Sequence, residues 1–387
     1  MKLGRETLKI VVGAVAAALL VTPTTTALPA GQQAGAASIP WAQVGPGWLL
    51  SEWAPVAPSE TSGPARRSVL YLVDPRGGRY ALTTVATLGA DLVAWSGDGR
   101  RALFETQTTT SSVVTVLDLQ SGRSNTFRIP GPGSQSVSFT APDGLGIIAS
   151  GQETATGPSR VQRFSLEGAL EYSYPLSFPG AGRVNGDLVY SADGTELVLG
   201  TSGGFEVVAN TGQPLRYLPM SANAGTCQPA RWWAAGVLLA SCTRPNSGIP
   251  LLWLVPTNGQ PPTPLTLTPK RGSGDYGDVD AWSLPSGDYV QVLGACGYIY
   301  LGRLGRTERT VPVRVPGIAS GKSVHVVGAV NDQLALTASF SCSPGSASLM
   351  WFDPATDVVR PLLGPPVNGG SVGTTFLWRQ TPPFSEF

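Results

Sequence analysis

The chain is poor in charged residues and has a single histidine, and both shortages exclude kinds of protein. Only 13% of its 387 residues are charged, about half the usual share, and the net charge is +1. Because the basic residues form no long run, the sequence offers no clustered basic surface of the kind that nucleic acids require. We therefore expect no nucleic-acid partner. A Ser–His–acid triad would have to use His325, the one histidine present.

Apolar segments long enough to span a membrane are missing after the N-terminus. Residues 10–21 form an apolar run behind Lys2, Arg5 and Lys9, and small residues follow it, which is typical of a secretory signal peptide. The run is shorter than the roughly 20 residues of a membrane-spanning helix. We interpret residues 1–27 as a signal peptide, with cleavage as late as residue 36 as the alternative. Residues 28–40 are interpreted as a linker.

This leader predicts an extracytoplasmic protein that is either secreted or associated with the cell envelope. An uncleaved leader remains the alternative to cleavage, and it is the one route by which we expect the chain to attach to a membrane.

The four cysteines are few and lack the C-x-x-C spacing of metal sites, so we expect no metal there. An exported chain meets an oxidising compartment, where an even number of cysteines predicts disulfides. If a two-residue hairpin turn is centred on residues 234–235, Cys227 and Cys242 face each other across two strands. This geometry predicts the pair Cys227–Cys242, and Cys296 would then pair with Cys342.

Glycine and proline, by contrast, are abundant, with 48 and 34 residues, and they mark the turns of a repeat. A disordered chain with this much glycine and proline should lack the 42% hydrophobic content found here. One hairpin type turns near residues 75–78 and 121–122. It recurs at intervals of roughly 44 to 51 residues, which is the period of a propeller blade. Its weaker copies turn at Gly168, Gly212, Gly259 and Gly305.

A second hairpin type alternates with the first, and two hairpins per period make a four-stranded blade. Its strongest copies turn at Asp-Gly pairs, which favour the positive φ angles of tight hairpin turns. Further copies turn at Gly144, Gly236, Gly287 and residues 331–332. The first type has a seventh copy at residues 349–354, so counting its turns predicts seven blades, with six or eight as alternatives. No helix is predicted outside the leader.

The sequence therefore predicts an all-β fold, a single β-propeller over residues 41–380 with a tail at 381–387. Residues 374–379 read as a strand left over after the seventh unit, while little chain precedes the first strand at residues 48–53. We expect these two segments to pair, because pairing closes the ring and covers two exposed sheet edges. We expect the protein to be a monomer.

Residues 94–104, AWSGDGRRALF, resemble the W-S-P-D-G-x-x-I-A-F repeat of the TolB-type propeller family, and residues 189–199 are similar to it. Residues 116–122 resemble the D-x-x-G outer hairpin of that family. Gly97 stands where the family has proline. The resemblance implies an extracytoplasmic propeller that is used for protein contact, but it does not extend to the TolB role in translocation.

The first candidate binding residues are Arg231 and Trp232. Adjacent strand residues point to opposite faces, so Trp232 and Trp233 cannot both enter one core layer. We expect one of the two rings to be exposed near a turn, beside Arg231, where it could stack on a sugar or anchor a protein partner.

The second group of candidate binding residues is Tyr276, Asp278 and Asp280, which lie in the densest acidic segment, residues 275–280. Closely spaced oxygen ligands of this kind could hold a Ca²⁺ ion in a loop. The segment lacks the glycine and the distal glutamate of an EF-hand, so we expect a solvated loop and no cofactor.

Residues 200–204 match the G-x-S-x-G nucleophile motif, but a strand-like segment follows them where that motif needs a helix. With no other catalytic set, the sequence favours an exported binding module or scaffold without catalysis, whose partner is an unknown protein or cell-envelope component. The alternative is an exported hydrolase or lyase acting on polysaccharide or peptide, with acids such as Asp278 and Asp280 at the propeller axis.

Overall fold

The fold is seen in a computed structural model that describes residues 39–55, 67–86, 90–131, 136–152, 159–221, 223–244, 247–270, 274–305, 309–319, 321–340 and 345–378. The predicted signal peptide, the predicted linker up to residue 38 and the predicted tail lie outside the described residues. Within them, no helix is long and apolar enough to cross a membrane.

Turn residues divide the described chain into short strands. The first fifteen are β1 (Leu49–Ala54), β2 (Arg67–Val73), β3 (Arg79–Ala86), β4 (Asp91–Trp95), β5 (Arg101–Gln107), β6 (Ser111–Asp118), β7 (Ser124–Pro130), β8 (Ser136–Phe139), β9 (Gly146–Gln152), β10 (Ser159–Ser165), β11 (Leu170–Ser173), β12 (Ser177–Phe178), β13 (Gly182–Tyr190), β14 (Glu196–Thr201) and β15 (Gly204–Ala209).

The remaining strands are β16 (Pro214–Pro219), β17 (Thr226–Ala234), β18 (Val237–Thr243), β19 (Pro250–Pro256), β20 (Thr263–Pro264), β21 (Asp278–Leu284), β22 (Gly287–Leu293), β23 (Ile299–Leu304), β24 (Thr310–Pro312), β25 (Lys322–Val330), β26 (Gln333–Phe340), β27 (Ser348–Asp353), β28 (Val358–Leu363) and β29 (Ser371–Leu377). Two 3-10 helices accompany them, Trp41–Gln43 and Ala295–Gly297.

These strands form seven antiparallel sheets, which confirms the predicted seven-bladed propeller. Blade 1 has the order β29-β1-β2-β3, and blades 2 to 7 begin with β4, β8, β12, β17, β21 and β25. Blade 4 differs from the prediction by a fifth, two-residue strand. There the chain folds back at Gly180 and Gly182, both at positive φ, so that β12 pairs with the start of β13.

The ring is closed as predicted, by pairing between the C-terminal strand β29 and the first strand β1. Leu49 pairs with Leu377 at one end of this ladder and Ala54 with Ser371 at the other. A buried hydrogen bond of 2.8 Å joins the hydroxyl groups of Ser51 and Thr375 across the closure. Two strands far apart in sequence thereby cover each other's edges.

The innermost strands of the blades surround the axis of the ring. They are β29, β4, β8, β13, β17, β21 and β25, and contacts between neighbours lead from β25 through β29 and β4 to β8, and from β13 through β17 and β21 to β25. Apolar clusters fill the spaces between successive blades; one of them joins Leu72 of blade 1 to Phe104 of blade 2.

The hairpin between β17 and β18 corrects one detail of the sequence analysis. Ala234 pairs with Val237, so the turn is centred on residues 235–236 and not on residues 234–235. Two register shifts in β17 then move the pairing by one residue each, and they bring Cys227 opposite Cys242. Cys227 and Cys242 form the predicted disulfide because the bulges compensate for the displaced turn.

Cys296 is also disulfide-bonded, and its predicted partner, Cys342, lies outside the described residues. The G-x-S-x-G segment is the predicted inter-strand turn, because it joins β14 to β15 within one sheet. Trp232 and Trp233 do point to opposite faces, one toward the core cluster of blades 4 and 5 and the other toward that of blades 5 and 6. Each ring is partly buried in its own cluster, so neither is fully exposed.

Candidate functional site

A central cavity of about 510 Å³ lies where the innermost strands converge. Six of the seven innermost strands line it, namely β4, β8, β13, β17, β21 and β29. Its volume falls within the range of roughly 300–1,000 Å³ that is usual for small-molecule sites. Because six blades contribute residues to one concave space, this cavity is the candidate ligand site.

Bulges shape the wall of the cavity. Six of the seven innermost strands show a register shift against their neighbour, β8 being the exception among the described strands. The shift in β13 is the largest. Val184 pairs with Thr201 and Leu188 with Leu199, so residues 185–187 stand opposite the single residue Gly200. Bulges of this kind re-aim side chains next to binding and active sites.

The side chain of Asn185 fixes the bulge in β13 by hydrogen bonds to the backbone of β13 and β17. Its side-chain oxygen accepts the N–H of Asp187 at 3.1 Å, and its amide donates to the carbonyl of Cys227 at 3.4 Å. Gly186 adopts a φ of +99°, which is costly for any residue with a Cβ. Gly200 leaves room for the Asn185 amide, since a Cβ there would lie 2.3 Å from its oxygen. The three residues of the bulge are therefore held in one arrangement.

Asp187, the last residue of this bulge, places a carboxylate on the cavity wall. The amide of Gln228 on the neighbouring strand β17 hydrogen-bonds to it. Burial raises the pKa of Asp187 to about 6, and the hydrogen bond from Gln228 opposes that rise. The carboxylate is therefore largely ionised at pH 7. None of the ion pairs between described residues includes it.

A buried ion pair forms another part of the wall. Arg231 of β17 donates to Asp280 of β21 from Nε at 2.8 Å and also from Nη2, so the contact is bidentate. Asp280 accepts the N–H of Ala281 at 2.8 Å as well. The guanidinium lies 4.5 Å from the ring centroid of Trp282. Arg231 and Asp280 are 7% and 1% exposed, so both charges depend on each other for solvation.

Aromatic and hydroxyl side chains complete the lining. Trp232 donates its indole N–H to the carbonyl of Tyr190 at 3.0 Å, which fixes the ring against β13. The aromatic residues on the wall are Trp95, Phe139, Tyr190, Trp232 and Phe376. The hydroxyl residues are Ser136, Ser138, Thr140, Ser150, Ser191 and Ser241. The cavity thus combines a few charged groups with apolar rings and short donors, as ligand sites usually do.

The structure brings three of the five predicted binding residues together, since Arg231, Trp232 and Asp280 all line the cavity. Tyr276 and Asp278 lie apart from it. Tyr276 is 53% exposed in the loop before β21. Asp278 is buried at the start of β21, where Thr310 donates to it at 3.3 Å and burial raises its pKa to about 7. The alternative that placed Asp278 and Asp280 together at the axis is therefore wrong for Asp278.

Asp187 and Gln228 are cavity residues that the sequence analysis missed. The sequence does contain a signal for the first of them, because Asn185 and Gly186 form a turn dipeptide inside a strand-like segment, which is typical of a bulge. Among the described residues, no three His, Cys, Asp or Glu side chains form a group that could hold a metal ion.

A second set of carboxylates lies outside the cavity, near the ring closure. Asp91 of β4 pairs directly with Glu105 of β5, and the charge of Asp91 also reaches Glu52 of β1. Burial, and then the charge of Asp91, raise the pKa of Glu52 to about 7. Burial also raises the pKa of Glu105, which is 4% exposed. These groups bear on stability and do not belong to the candidate site.

Comparison with solved structures agrees on the fold. The propeller domain of the Trilobed protease from Pyrococcus furiosus matches with a TM-score of 0.51 and 11% identity over 81% of this chain and 97% of that one. A putative 6-phosphogluconolactonase from Bacteroides uniformis matches with a TM-score of 0.50 and 12% identity, over 81% of this chain and 95% of that one. The chain is a β-propeller. Identities this low show the fold alone.

TolB from Acinetobacter baumannii is also among the matching structures, with a TM-score of 0.46 and 12% identity. The match covers 85% of this chain and 66% of the TolB chain. No protein-family model matches the chain, and no curated protein matches it.

Proposed function

We propose that this propeller is an exported binding module whose ligand occupies the central cavity. The observation that supports it is the wall itself, where a bulge in β13 and a buried ion pair between β17 and β21 fix charged groups beside aromatic rings. A site whose side chains are positioned by hydrogen bonds from neighbouring strands is prepared for a ligand, since little ordering remains to be done on binding.

Export is supported by two observations. The N-terminal sequence has the charged, apolar and small-residue regions of a signal peptide. The Cys227–Cys242 disulfide is of the kind that persists in an oxidising compartment.

Binding is favoured over hydrolysis because the described cavity has no free pair of catalytic groups. Its two carboxylates are Asp187 and Asp280, and the second is held by Arg231 in a bidentate contact. Acid–base hydrolysis of a glycoside needs two carboxyl groups that can each exchange a proton or attack the substrate. His325 lies on β25, the one innermost strand that contributes nothing to the described wall.

One observation favours the alternative of an exported hydrolase or lyase. A carboxylate with a pKa of about 6 is close to the range in which a general base works at neutral pH, and Asp187 has that value. Screening the oxidised protein against polysaccharide and peptide substrates, with Asp187→Asn alongside, tests this alternative. Turnover that disappears in the variant would establish catalysis.

The binding proposal is tested by capture from cell-envelope fractions. In β8, Val137 and Phe139 face the core, so the alternate residue Ser138 faces the cavity, where a tryptophan would fill space. We expect wild-type protein to retain an envelope component and Ser138→Trp to lose it. Ser173→Trp, on an exposed outer strand of the same blade, is the matched control and should retain it.

Equal retention by both tryptophan variants would place the ligand elsewhere than in the cavity. Failure of every fraction to bind would remove the envelope role altogether.

A further inference from the structure

The geometry points to a compact organic cation, such as an ammonium or guanidinium compound, as the ligand of the central cavity, held between the Asp187 carboxylate and the aromatic wall. This inference rests on the proposed function and names its ligand class.

The charge of the described lining carries the first step. Three charged residues line the cavity, Asp187, Arg231 and Asp280. Arg231 and Asp280 neutralise each other through two hydrogen bonds, and no described lysine, arginine or histidine pairs with Asp187. The described wall therefore carries one net negative charge, and it is drawn partly out of water. An uncompensated carboxylate in such a place costs free energy, which a bound cation would remove.

The second step is that the backbone holds the Asp187 carboxylate in this place at a conformational cost. The bulge requires a positive φ at Gly186, close approach of Asn185 to Gly200, and the N–H of Asp187 directed to Asn185. It is the one register shift among the described innermost strands that places three residues opposite one. Strained features of this kind are kept where they direct a side chain toward a ligand or partner. Among the described residues, none is a charged partner for the Asp187 carboxylate.

The third step is the aromatic wall. A cation gains from the negative face of an aromatic ring, and the gain grows when the site is shielded from water. Tyr190 and Trp232, which line the same cavity as Asp187, are aromatic residues that are partly buried, whereas Trp95, Phe139 and Phe376 belong to the buried core behind the wall. The protein already uses this contact behind the cavity wall, where the Arg231 guanidinium lies 4.5 Å from the ring centroid of the buried Trp282.

Other ligand classes fit the described lining less well. An anion would meet the Asp187 charge, while the cation that could attract it, Arg231, already gives two hydrogen bonds to Asp280. A neutral polyol could bond to the serines, but it would leave the Asp187 charge uncompensated. A compact cation satisfies the charge and the aromatic wall together, and a volume of about 510 Å³ has room for it.

The experiment is calorimetric titration of the oxidised, leader-free protein with tetramethylammonium and with n-butylammonium at pH 7 and constant ionic strength. Two probes without charge serve as comparisons, namely tert-butanol, which is similar in size to the cations, and glucose, which is a larger polyol. We expect the cations to bind and the neutral probes to bind at least about tenfold more weakly, the usual worth of one charge-assisted contact.

Two further measurements tie the binding to Asp187. Asp187→Asn should weaken cation binding by about tenfold or more, while Glu171→Gln, which removes an exposed carboxylate from the outer strand β11, should leave it unchanged. If Asp187→Asn does not fold, wild-type protein at pH 5 replaces it. Protonation of a carboxyl with a pKa of about 6 should then weaken cation binding about tenfold relative to pH 7.

Cation binding that is insensitive to both Asp187→Asn and pH would overturn the inference, as would tighter binding of glucose than of either cation. If no cation binds but the envelope capture still depends on Ser138, the ligand class is wrong and the binding module stands. If cations bind and no envelope component is captured, the cavity serves a small ligand and the envelope partner is wrong.

Discussion

The guanidinium of Arg231 on β17 and the carboxylate of Asp280 on β21 form a buried bidentate ion pair that joins two neighbouring blades across the wall of the central cavity. The two residues are 49 positions apart in sequence. Each charge is buried, so each depends on the other. The pair therefore joins two blades and also supplies two of the charged groups that line the cavity.

Breaking this pair should destabilise the propeller strongly. We expect Arg231→Met to lower the free energy of unfolding by about 3–5 kcal/mol, because it leaves the Asp280 charge buried without a partner. Urea denaturation monitored by tryptophan fluorescence measures the change. Arg163→Met, which breaks the more exposed pair with Glu171, is the control and should cost about 1 kcal/mol or less. Equal losses from the two variants would contradict the buried character of the Arg231–Asp280 pair.

Ring closure should depend on the last strand. Deleting residues 371–387 removes β29 and the partner of β1, and it exposes the edge of β1 together with the residues that pack on Phe376. We expect this truncation to abolish soluble folding, since an open edge and an open core both favour aggregation. Expression and size-exclusion chromatography check the result. Deleting only residues 381–387 serves as the control, and a stable monomer after the longer deletion would argue against closure by β29.

Stability should fall as the pH rises through neutrality. Burial raises the pKa of Glu52 from 4.5 to about 7 and that of Asp278 from 3.8 to about 7. The folded state therefore binds more protons than the unfolded state between about pH 4 and pH 7, and the stability present below that window is lost across it, by up to roughly 1.4 kcal/mol per pH unit for each group.

Unfolding free energies at pH 5 and pH 8 test this dependence. Glu52→Gln and Asp278→Asn should each flatten it, because neither variant has the proton to lose. A wild-type protein that is more stable at pH 8 than at pH 5 would refute the prediction.

The space beside Gly200 should matter more for binding than its position in a strand suggests. A Cβ at residue 200 would lie 2.3 to 2.9 Å from the amide group of Asn185, so Gly200→Ala must displace that amide and release the hydrogen bond that fixes Asp187. We expect weaker binding of tetramethylammonium, by about tenfold, with a loss of stability of roughly 1–3 kcal/mol. Gly45→Ala, whose new Cβ would meet only an atom 3.8 Å away, is the control.

The sequence by itself determined the blades. Asp-Gly and related turn residues act locally, since they select the positive φ angles of hairpin turns wherever they occur, and their spacing therefore indicates how many strands there are and where each ends. The surplus strand at the C-terminus similarly predicted the closure between β29 and β1, because an unpaired strand at each end of a ring has one available partner.

Only the tertiary structure decided the site. The disulfide was predicted for a turn one residue away from the real one, and two bulges in β17 restored the register. Those bulges, and the larger one that presents Asp187, determine which side chains face the axis, because a shift of one residue reverses the face of every residue beyond it. Arg231, Asp280 and Asp187 come from three different blades, and no local pattern brings them together. Their meeting depends on how the blades pack around the ring.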